Sequence, residues 1–255
     1  MIDVIIPTKD RPVRLHNAIA QARAAMPGCR VIVVDSSSEP TPLGYPADLH
    51  LRAPPKELGK SRSIGLEACV QKLAVYMDDD VMFPPGWLAG MMATMEETGA
   101  TIVSSRIIYG APLGGTIARL YRHSEARNVG GAALLVDVEK LRLRGGWCDA
   151  ASYGEDTECA IRLGSAWVVS DTEVWHPVSF MGWMHMAAYY SAHLARNIKR
   201  GVMPKRYAVR ALGAPFTMPI YYGWKSRSVM VAVYYFFYRT VYAFGMVKGI
   251  LGGSE

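Results

Sequence analysis

Three consecutive carboxylates, Asp78, Asp79 and Asp80, follow an apolar run in the segment VYMDDDV. Because like charges a few ångströms apart disfavour joint ionisation, the arrangement requires a cation, hydrogen-bond donors or open water. Asp78 and Asp80 alternate at the end of a predicted strand and offer hard oxygen ligands, and Mg²⁺ or Mn²⁺ is typically held by one or two carboxylates plus substrate phosphates. The triplet is therefore a candidate site for a metal that binds a diphosphate. By itself, the D-x-D spacing is more typical of a solvated loop or a helix cap.

Alternating strands and helices are expected to place this triplet at one edge of a sheet. DVIIP and RVIVVD are β-branched runs typical of strands, and the segment between them has apolar residues at helical spacing. GKSRSIGLEACVQKL predicts a second helix, and AVYM a strand that ends at the triplet. The βαβ alternation indicates a sheet of parallel strands. Such sheets bind their ligands outside the carboxyl ends of the strands. Thr8, Asp35 and the triplet should therefore converge there.

The α/β pattern continues to His176. PPGWLAGMMATMEETG predicts a helix, TIVSSRIIYG a strand, and GGAALLVDVEKLRLRGG a strand leading into a short helix that stops at a glycine pair. GEDTECAIRLG opens with two acids, which the helix dipole favours in a first turn, and WVVSDTEVWH supplies the last strand. We predict an α/β catalytic domain over residues 1–176, with a mostly parallel sheet flanked by helices.

Charge is divided unequally along the chain, whose net charge is +6. Residues 1–176 contain 18 Lys and Arg against 21 Asp and Glu, whereas residues 177–255 contain 10 against 1. The basic tail is rich in Tyr, Phe, Trp and Met, while a nucleic-acid-binding arm would be polar between its charges. A membrane-facing appendage is therefore favoured, and no nucleic-acid partner is expected.

The cysteines and the N-terminus argue against a secreted protein. The four cysteines show no C-x-x-C spacing and no regular disulfide framework, which favours buried thiols in a reducing compartment. The chain begins MIDVIIPTKD, without a basic region before an apolar core, so a strand is expected there in place of a signal peptide.

The tail, residues 177–255, contains three long stretches with little formal charge. They cover 177–195, 211–224, which holds Pro215 and Pro219, and 228–247, which is interrupted by Arg239. A membrane-spanning helix needs about 20 apolar residues, so the first and third are candidates and the second is expected to be kinked or re-entrant. With their basic connectors they predict about three helices at a membrane, with the catalytic domain on the cytoplasmic side. The alternative is a soluble helical subdomain packed on the sheet.

Arg239 lies in the middle of the third stretch. A charge at that position favours an anionic partner such as a lipid phosphate. A backbone carbonyl inside a helical bundle is an equally good alternative for it.

Seven motifs, in order over nearly all of residues 1–200, resemble the family 2 glycosyltransferases with a GT-A fold. VIIPTKDRPVRL, with Pro7 and Thr8, is similar to the opening strand and loop that hold the nucleotide. VIVVDSSS is similar to the motif whose Asp, here Asp35, contacts the base or ribose, and LGKSRSIGL to the motif whose Arg, here Arg62, lies near the nucleotide site. YMDDDV matches the D-x-D strand end, which places Asp79 beside the donor and Asp78 and Asp80 on the metal.

The later motifs resemble the sugar and acceptor side of the same family. GGAALLV, with Gly131, is similar to the strand near the donor sugar. GGWCDAASYGEDTECAIRLG resembles the acceptor-side motif, which implies acceptor-side roles for Trp147 and for the pair Glu155 and Asp156. VWHP is similar to the late strand whose His, here His176, can complete the metal or diphosphate site.

The resemblance implies a nucleotide-diphosphate-sugar donor and inversion at the anomeric carbon. Asp156 would be the general base, Glu155 would orient the acceptor, and a metal on Asp78 and Asp80 would stabilise the leaving diphosphate. A further ligand from His176 would favour Mn²⁺ over Mg²⁺. Helix capping is the alternative role for the acidic pair, and a structural role is the alternative for His176.

The basic, aromatic tail is similar to that of enzymes acting on polyprenyl or dolichyl phosphate carriers. That likeness suggests GDP-mannose as donor and a lipid-linked acceptor in glycan biosynthesis, with Arg239 on the acceptor side. HLARN, at residues 193–197, lacks the tryptophan of the Q-x-x-R-W motif in cellulose-synthase-like enzymes, which argues against long polymer synthesis. The alternatives are a UDP-sugar enzyme with a soluble or polysaccharide acceptor, and a non-catalytic binding module. A nucleotidyltransferase is disfavoured because PTKDRP stands where those enzymes have a glycine-rich loop.

Overall fold

The computed structural model describes residues 1–41, 46–55, 57–109, 130–149, 154–177, 180–202 and 204–251. It divides into two compact units. The first, called here the α/β unit, contains Met1–Ile108 and the described residues from Gly130 to His176; the second, called the helical unit, continues from Pro177. The division into a catalytic domain over residues 1–176 and a membrane-associated region over residues 177–255 stays a prediction.

Strands and helices alternate along the α/β unit. Its elements are β1 (Asp3–Thr8), α1 (Pro12–Ala25), β2 (Arg30–Asp35), β3 (Leu49–Arg52), α2 (Leu58–Glu67), β4 (Leu73–Met77), α3 (Trp87–Thr98), β5 (Ile102–Tyr109), β6 (Ala133–Asp137), α4 (Val138–Leu143), α5 (Glu155–Leu163) and β7 (Trp167–His176). The helical unit consists of α6 (Phe180–Lys199), α7 (Arg206–Ser226) and α8 (Val229–Leu251). This confirms the predicted α/β class with helices at the C-terminal end of the chain.

The seven strands form one mixed sheet in the order β3-β2-β1-β4-β6-β5-β7. β1 pairs in parallel with β2 and β4, and β2 pairs in parallel with β3, whereas β6 is antiparallel to β4 and β5. In the β1–β2 register Thr8 lies opposite Asp35. The carboxyl ends of β1, β2 and β4 therefore meet at one edge, as the βαβ pattern predicts.

Both faces of the sheet are buried by helices. Successive strand residues point to opposite faces, so Val4 and Ile6 of β1 pack with Leu15 of α1 in one apolar cluster, and Ile5 packs with Leu66 of α2 in the other. The first cluster also contains the buried face of α3, and the second contains residues of α4 and α5. This two-faced burial explains why the strands have continuous apolar runs.

The helical unit is held together by close contacts of α8 with both α6 and α7. A Cβ atom on Gly245 or Gly249 would collide with the carbonyl oxygens of Ala188 and Ala192 in α6, so these positions require glycine. On the other side, Tyr222 of α7 stacks on Tyr235 of α8 with ring centroids 4.4 Å apart. Among the described residues, α8 is the one helix long and apolar enough to cross a membrane.

The second uncharged stretch belongs to a single helix. α7 continues through Pro215 and Pro219, and the kink expected at these residues stays a prediction. The two prolines are four residues apart, so they lie on one face of the helix, and both are buried. Packing of that face outweighs the propensity cost of proline inside a helix.

Candidate active site

The acidic triplet begins where β4 ends. The backbone N–H of Asp78 donates to the carbonyl of Ala132 at 2.9 Å, which joins the end of β4 to the segment before β6. The Thr8 hydroxyl, at the end of β1, donates to Oδ2 of Asp79 at 2.8 Å. Asp79 is therefore buried, and the side chains on either side of it are left partly accessible.

Asp80 is brought next to His176 by a backbone bridge. The N–H of Met82 donates to the carbonyl of Trp175 at 2.8 Å, and the N–H of Trp175 donates back at 3.0 Å. Nε2 of His176 consequently lies 3.2 Å from Oδ1 of Asp80. This contact depends on antiparallel pairing between the segment after the triplet and the end of β7.

Asp78, Asp80 and His176 form a group that could hold a metal ion. Each residue offers one ligand atom, and these atoms all lie within 4.8 Å of one another. Two carboxylates and an imidazole suit a divalent cation with mixed oxygen and nitrogen ligands, so the donor set fits Mn²⁺ or Mg²⁺. The residues predicted as metal ligands are thus close enough to share one ion.

The electrostatics of the group favour a bound cation. Burial raises the pKa of Asp78 to about 7; the charge of Arg62 opposes this rise, and the neighbouring carboxylates reinforce it. Burial also raises the pKa of Asp79, against the effect of Arg11, and lowers the pKa of His176. A neutral imidazole is the form that binds metals. A divalent ion would relieve the repulsion among the carboxylates.

Two arginines of the loop after β1 and of α1 complete the surroundings of the triplet and were not predicted as site residues. Nη1 of Arg11 lies 3.1 Å from Oδ1 of Asp79, and Nη1 of Arg14 lies 2.6 Å from Oδ2 of Asp80. Both guanidinium groups are about half exposed. Their spacing of three residues at a helix start would have placed them on one face, which was the available signal.

Arg62 is a buried cation between the metal-ligand group and the acidic pair. Its side chain is 2% exposed, Nε lies 3.0 Å from Oε1 of Glu155, and Nη2 lies 3.8 Å from Oδ1 of Asp78. Nη2 also donates to the carbonyl of Gly131 at 2.9 Å. The Trp147 ring covers the guanidinium, with 5.1 Å from Cζ to the ring centroid. Burial raises the pKa of Glu155, and the charge of Arg62 opposes that rise.

Asp156 is held at the first turn of α5 and against the Gly131 loop. The N–H of Gly131 donates to Oδ2 of Asp156 at 3.0 Å, and the N–H of Thr157 donates to Oδ1 at 2.6 Å. A Cβ on Gly131 would lie 2.6 Å from Nη2 of Arg62, so the close approach requires glycine. A chain of contacts through Gly131 and Arg62 therefore links Asp156 to Asp78. Residues 150–153 of the acceptor-side motif lie outside the described residues.

Two further residues predicted for the nucleotide side, Asp35 and Pro7, lie in β2 and β1. Asp35 is fully buried and accepts hydrogen bonds from the N–H groups of Ser37 and Thr41, both at 2.9 Å. Burial acts to raise the pKa of Asp35, but these hydrogen bonds outweigh it and hold the pKa well below its usual range. Pro7 lies half-buried in β1, opposite Val34.

Arg239 belongs to the helical unit. Its guanidinium lies over the rings of Tyr238 and Tyr242, at 5.3 Å and 5.6 Å from their centroids. Within the described part of the chain, its buried Nε has no hydrogen-bond acceptor. The predicted acceptor-side residues thus fall in both units: Trp147 and Glu155 in the first, Arg239 in the second.

Comparison with known sequences gives a matching family and a similar protein. The family described as "Glycosyl transferase family 2" matches residues 3–153. Pre-mycofactocin glycosyltransferase from Mycobacterium tuberculosis is 27% identical over 185 residues, which cover 64% of this chain and 38% of that protein. The chain therefore spans well under half the length of the curated relatives it matches.

Among solved structures, a mannosyltransferase from Pyrobaculum calidifontis, described in complex with GDP-Man and Mn²⁺, superposes with a TM-score of 0.71 and 15% identity. The alignment covers 98% of this chain and 87% of that one. S. aureus TarS, described in complex with UDP, gives a TM-score of 0.55 at 14% identity, over 97% of this chain and 90% of that one. At such identities the likeness shows a shared GT-A-like fold.

Proposed function

Because this chain belongs to glycosyl transferase family 2, we propose that it is a glycosyltransferase that transfers a sugar, with inversion, from a nucleotide-diphosphate donor bound at Asp78, Asp80 and His176. The observation that carries the proposal is the convergence of three ligand atoms within 4.8 Å of one another at a sheet edge, joined through Arg62 and Gly131 to Asp156. A single site thus combines a place for a diphosphate with a carboxylate that can accept a proton.

Each side chain of the site has a role in this reaction. Asp156 accepts the proton of the attacking acceptor hydroxyl as its oxygen bonds to the anomeric carbon, and the bond to the diphosphate breaks with its electron pair on the diphosphate. Asp78, Asp80 and His176 would hold a divalent ion, which would supply positive charge to that leaving group. Glu155, fixed by Arg62, shapes the acceptor side together with Trp147.

The donor side is formed by the ends of β1, β2 and β4. Thr8 and Asp79 hold the loop against which the diphosphate binds, and Pro7 and Asp35 shape the nucleotide side. GDP-mannose is the donor we propose first, supported by the sequence likeness to lipid-carrier mannosyltransferases and by the GDP-Man complex of the Pyrobaculum calidifontis mannosyltransferase. UDP-sugars are the second donor class, because S. aureus TarS is described with UDP.

The proposed acceptor is a lipid-linked glycan at a membrane, with the α/β unit on the cytoplasmic side. A phosphate acceptor is already ionised, so a base such as Asp156 favours a sugar hydroxyl on such a lipid. The 10 basic residues against 1 acid after residue 176, and the long apolar helix α8, support membrane association. The guanidinium of Arg239 suits the phosphate of the lipid carrier.

Thermal unfolding of the full chain with a panel of nucleoside diphosphates tests the donor site. Binding to the folded state stabilises it by RT ln(1 + [L]/Kd), about 2.7 kcal/mol at a hundredfold excess over Kd. GDP is expected to raise Tm only with Mn²⁺ or Mg²⁺ present, and Asp80→Ala should abolish the rise. Glu96→Ala, which removes an exposed acid from α3, is the matched control and should respond like the wild type.

Sugar transfer by Asp156→Asn tests the base. Asparagine can still accept the Gly131 hydrogen bond, so the metal-dependent Tm shift should persist while transfer falls by about 10²-fold or more.

Equal nucleotide shifts in the wild type and Asp80→Ala would contradict the assigned metal site. A full Tm shift without any donor hydrolysis or transfer would favour the non-catalytic binding module.

A further inference from the structure

The exposed face of α7 has a row of large apolar residues. Its large apolar residues follow one another at intervals of three or four, which places them on one side of the helix. They are between 40% and 79% exposed, and the row consists of Val209, Leu212, Phe216, Ile220 and Trp224. We call this set the α7 row. A soluble surface helix would have charged or polar residues on its solvent side.

α8 has an equivalent row. Five of its exposed apolar residues recur at intervals of three, four and seven, and are between 43% and 78% exposed: Met230, Val233, Phe237, Phe244 and Leu251. α7 and α8 pack against each other through Tyr222 and Tyr235 and through Gly223, so the two rows belong to one helical hairpin. Ten large apolar side chains exposed on one hairpin indicate an interaction surface.

The charges around the rows indicate what covers them. Lys205 and Arg206 precede or open α7, and Arg227 follows it. No acid occurs between Glu173 and Glu255. Apolar rows bordered by cations, without acids, complement a bilayer with anionic headgroups.

We propose that the α7–α8 hairpin lies in the plane of an anionic bilayer, with both rows immersed and the flanking cations at the headgroups, and that it does not cross the membrane. The inference rests on the membrane association in the proposed function and specifies its geometry. The uncharged part of α7, residues 211–224, would extend about 21 Å at 1.5 Å per residue. That length is short of the roughly 30 Å hydrocarbon core.

Two further positions argue against a crossing. Arg227 lies in the turn between α7 and α8, so a crossing hairpin would have to carry this charge through the bilayer. Arg239 is nine residues after Met230, about half a turn away from the α8 row at ~100° per residue, and its guanidinium is partly buried against Tyr238 and Tyr242. In the plane of the membrane this charge stays at headgroup depth, where a lipid phosphate can reach it.

Flotation of the full chain with vesicles tests the surface. We expect the protein to float with vesicles of equal parts phosphatidylglycerol and phosphatidylcholine, and much less with phosphatidylcholine alone. The triple variant Phe216→Asn, Ile220→Asn, Trp224→Asn, called here the α7-row variant, should reduce the bound fraction about tenfold or more. Each substitution removes a large apolar area that would be buried in the bilayer. The matched control, Val13→Asn, Val70→Asn, Leu143→Asn, changes equally exposed apolar residues of the α/β unit and should float like the wild type.

The proposal would be overturned if the α7-row variant floated as well as the wild type. It would also be overturned if neither protein floated with the vesicles, a result that would indicate the soluble helical subdomain. Circular dichroism of each variant separates lost binding from lost folding. Flotation needs no sugar donor, so it stands or fails independently of the metal-dependent Tm shift that tests the transferase site.

Thiol labelling distinguishes the in-plane geometry from a crossing one. With the chain synthesised in the presence of sealed vesicles, a membrane-impermeant maleimide should label Ser228→Cys, at the hairpin turn, as fast as Glu39→Cys in the α/β unit. The wild type, with its four native cysteines, gives the background. Protection of Ser228→Cys until detergent is added would show that the turn has crossed the bilayer and would overturn the in-plane geometry.

Discussion

Arg62 is the residue on which both halves of the candidate site depend. Its guanidinium contacts Glu155 and Asp78, donates to Gly131 and is covered by Trp147. The motif LGKSRSIGL placed it near the nucleotide, but spacing alone could not show that it is buried between two groups of carboxylates. Such burial depends on the approach of α2, β4 and α5, which are distant in sequence.

Removing the positive charge of Arg62 should destabilise the folded protein. Arg62→Met would leave Glu155 and Asp78 without their buried cation, and we expect a loss of about 3–5 kcal/mol in the free energy of unfolding. Urea unfolding measures this loss. Arg23→Met, which removes an exposed ion pair with Asp48, is the control and should cost less than about 1 kcal/mol. Equal effects of the two substitutions would mean that the Arg62 contacts contribute little to folding.

The ionised carboxylate of Asp35 should stabilise the folded protein at neutral pH and lose this effect in acid. Its native pKa is held below the unfolded value of about 3.9, so its stabilising contribution is fully present above that value and is lost as the pH falls towards the native pKa. The difference in unfolding free energy between the wild type and Asp35→Asn should therefore be constant between about pH 7 and 5. It should shrink by about pH 3. A difference that does not change over the whole range would contradict the assigned hydrogen-bond network.

At the scale of the elements, the sequence predicted most of the sheet and only part of the site. β1, β2 and β4 are β-branched or apolar runs buried on both faces, so their pattern is unambiguous. β3 was missed because LHLR is four residues long and half-exposed at the sheet edge. The approach of His176 to Asp80 depends on a bridge between residues 82 and 175, which no local pattern encodes.

Close packing of α6 on α8 should be sensitive to a single methyl group. Gly245→Ala puts a Cβ against Ala188 and Ser191, and we expect it to destabilise the helical unit by about 1–3 kcal/mol. Gly213→Ala is the matched control, because open space surrounds that position of α7 and alanine is the better helix former by about 1 kcal/mol. Thermal unfolding of both variants should therefore shift Tm in opposite directions. A rise in Tm for Gly245→Ala would show that the two helices can separate freely.

On the scale of the whole molecule, the division of charge matters more than its total. The chain has a slightly acidic first part and a strongly basic tail, and the tail also contains the exposed apolar rows of α7 and α8. Sequence composition alone predicted a membrane partner. It could not distinguish crossing from in-plane helices, because that depends on which side of each helix is exposed.

Salt should weaken vesicle binding only in part. Screening shortens the reach of the tail's cations to about 3 Å at 1 M ionic strength, whereas burial of the apolar rows does not depend on charge. We therefore expect flotation with anionic vesicles to fall as salt is added and to level off above zero. The α7-row variant keeps the α8 row, so under the same titration its bound fraction should level off well below that of the wild type. Complete release of the wild type by salt would mean that its attachment is purely electrostatic.

The bridge between Met82 and Trp175 uses main-chain groups alone, and both residues are partly exposed. The bridge itself therefore requires no particular side chain at either position, with proline excluded because it lacks the N–H. Homologues that preserve the Asp80–His176 geometry need share no identity at either position. A search for this site in other genomes should accordingly follow strand pairing, since residue matching at these positions would discard true members.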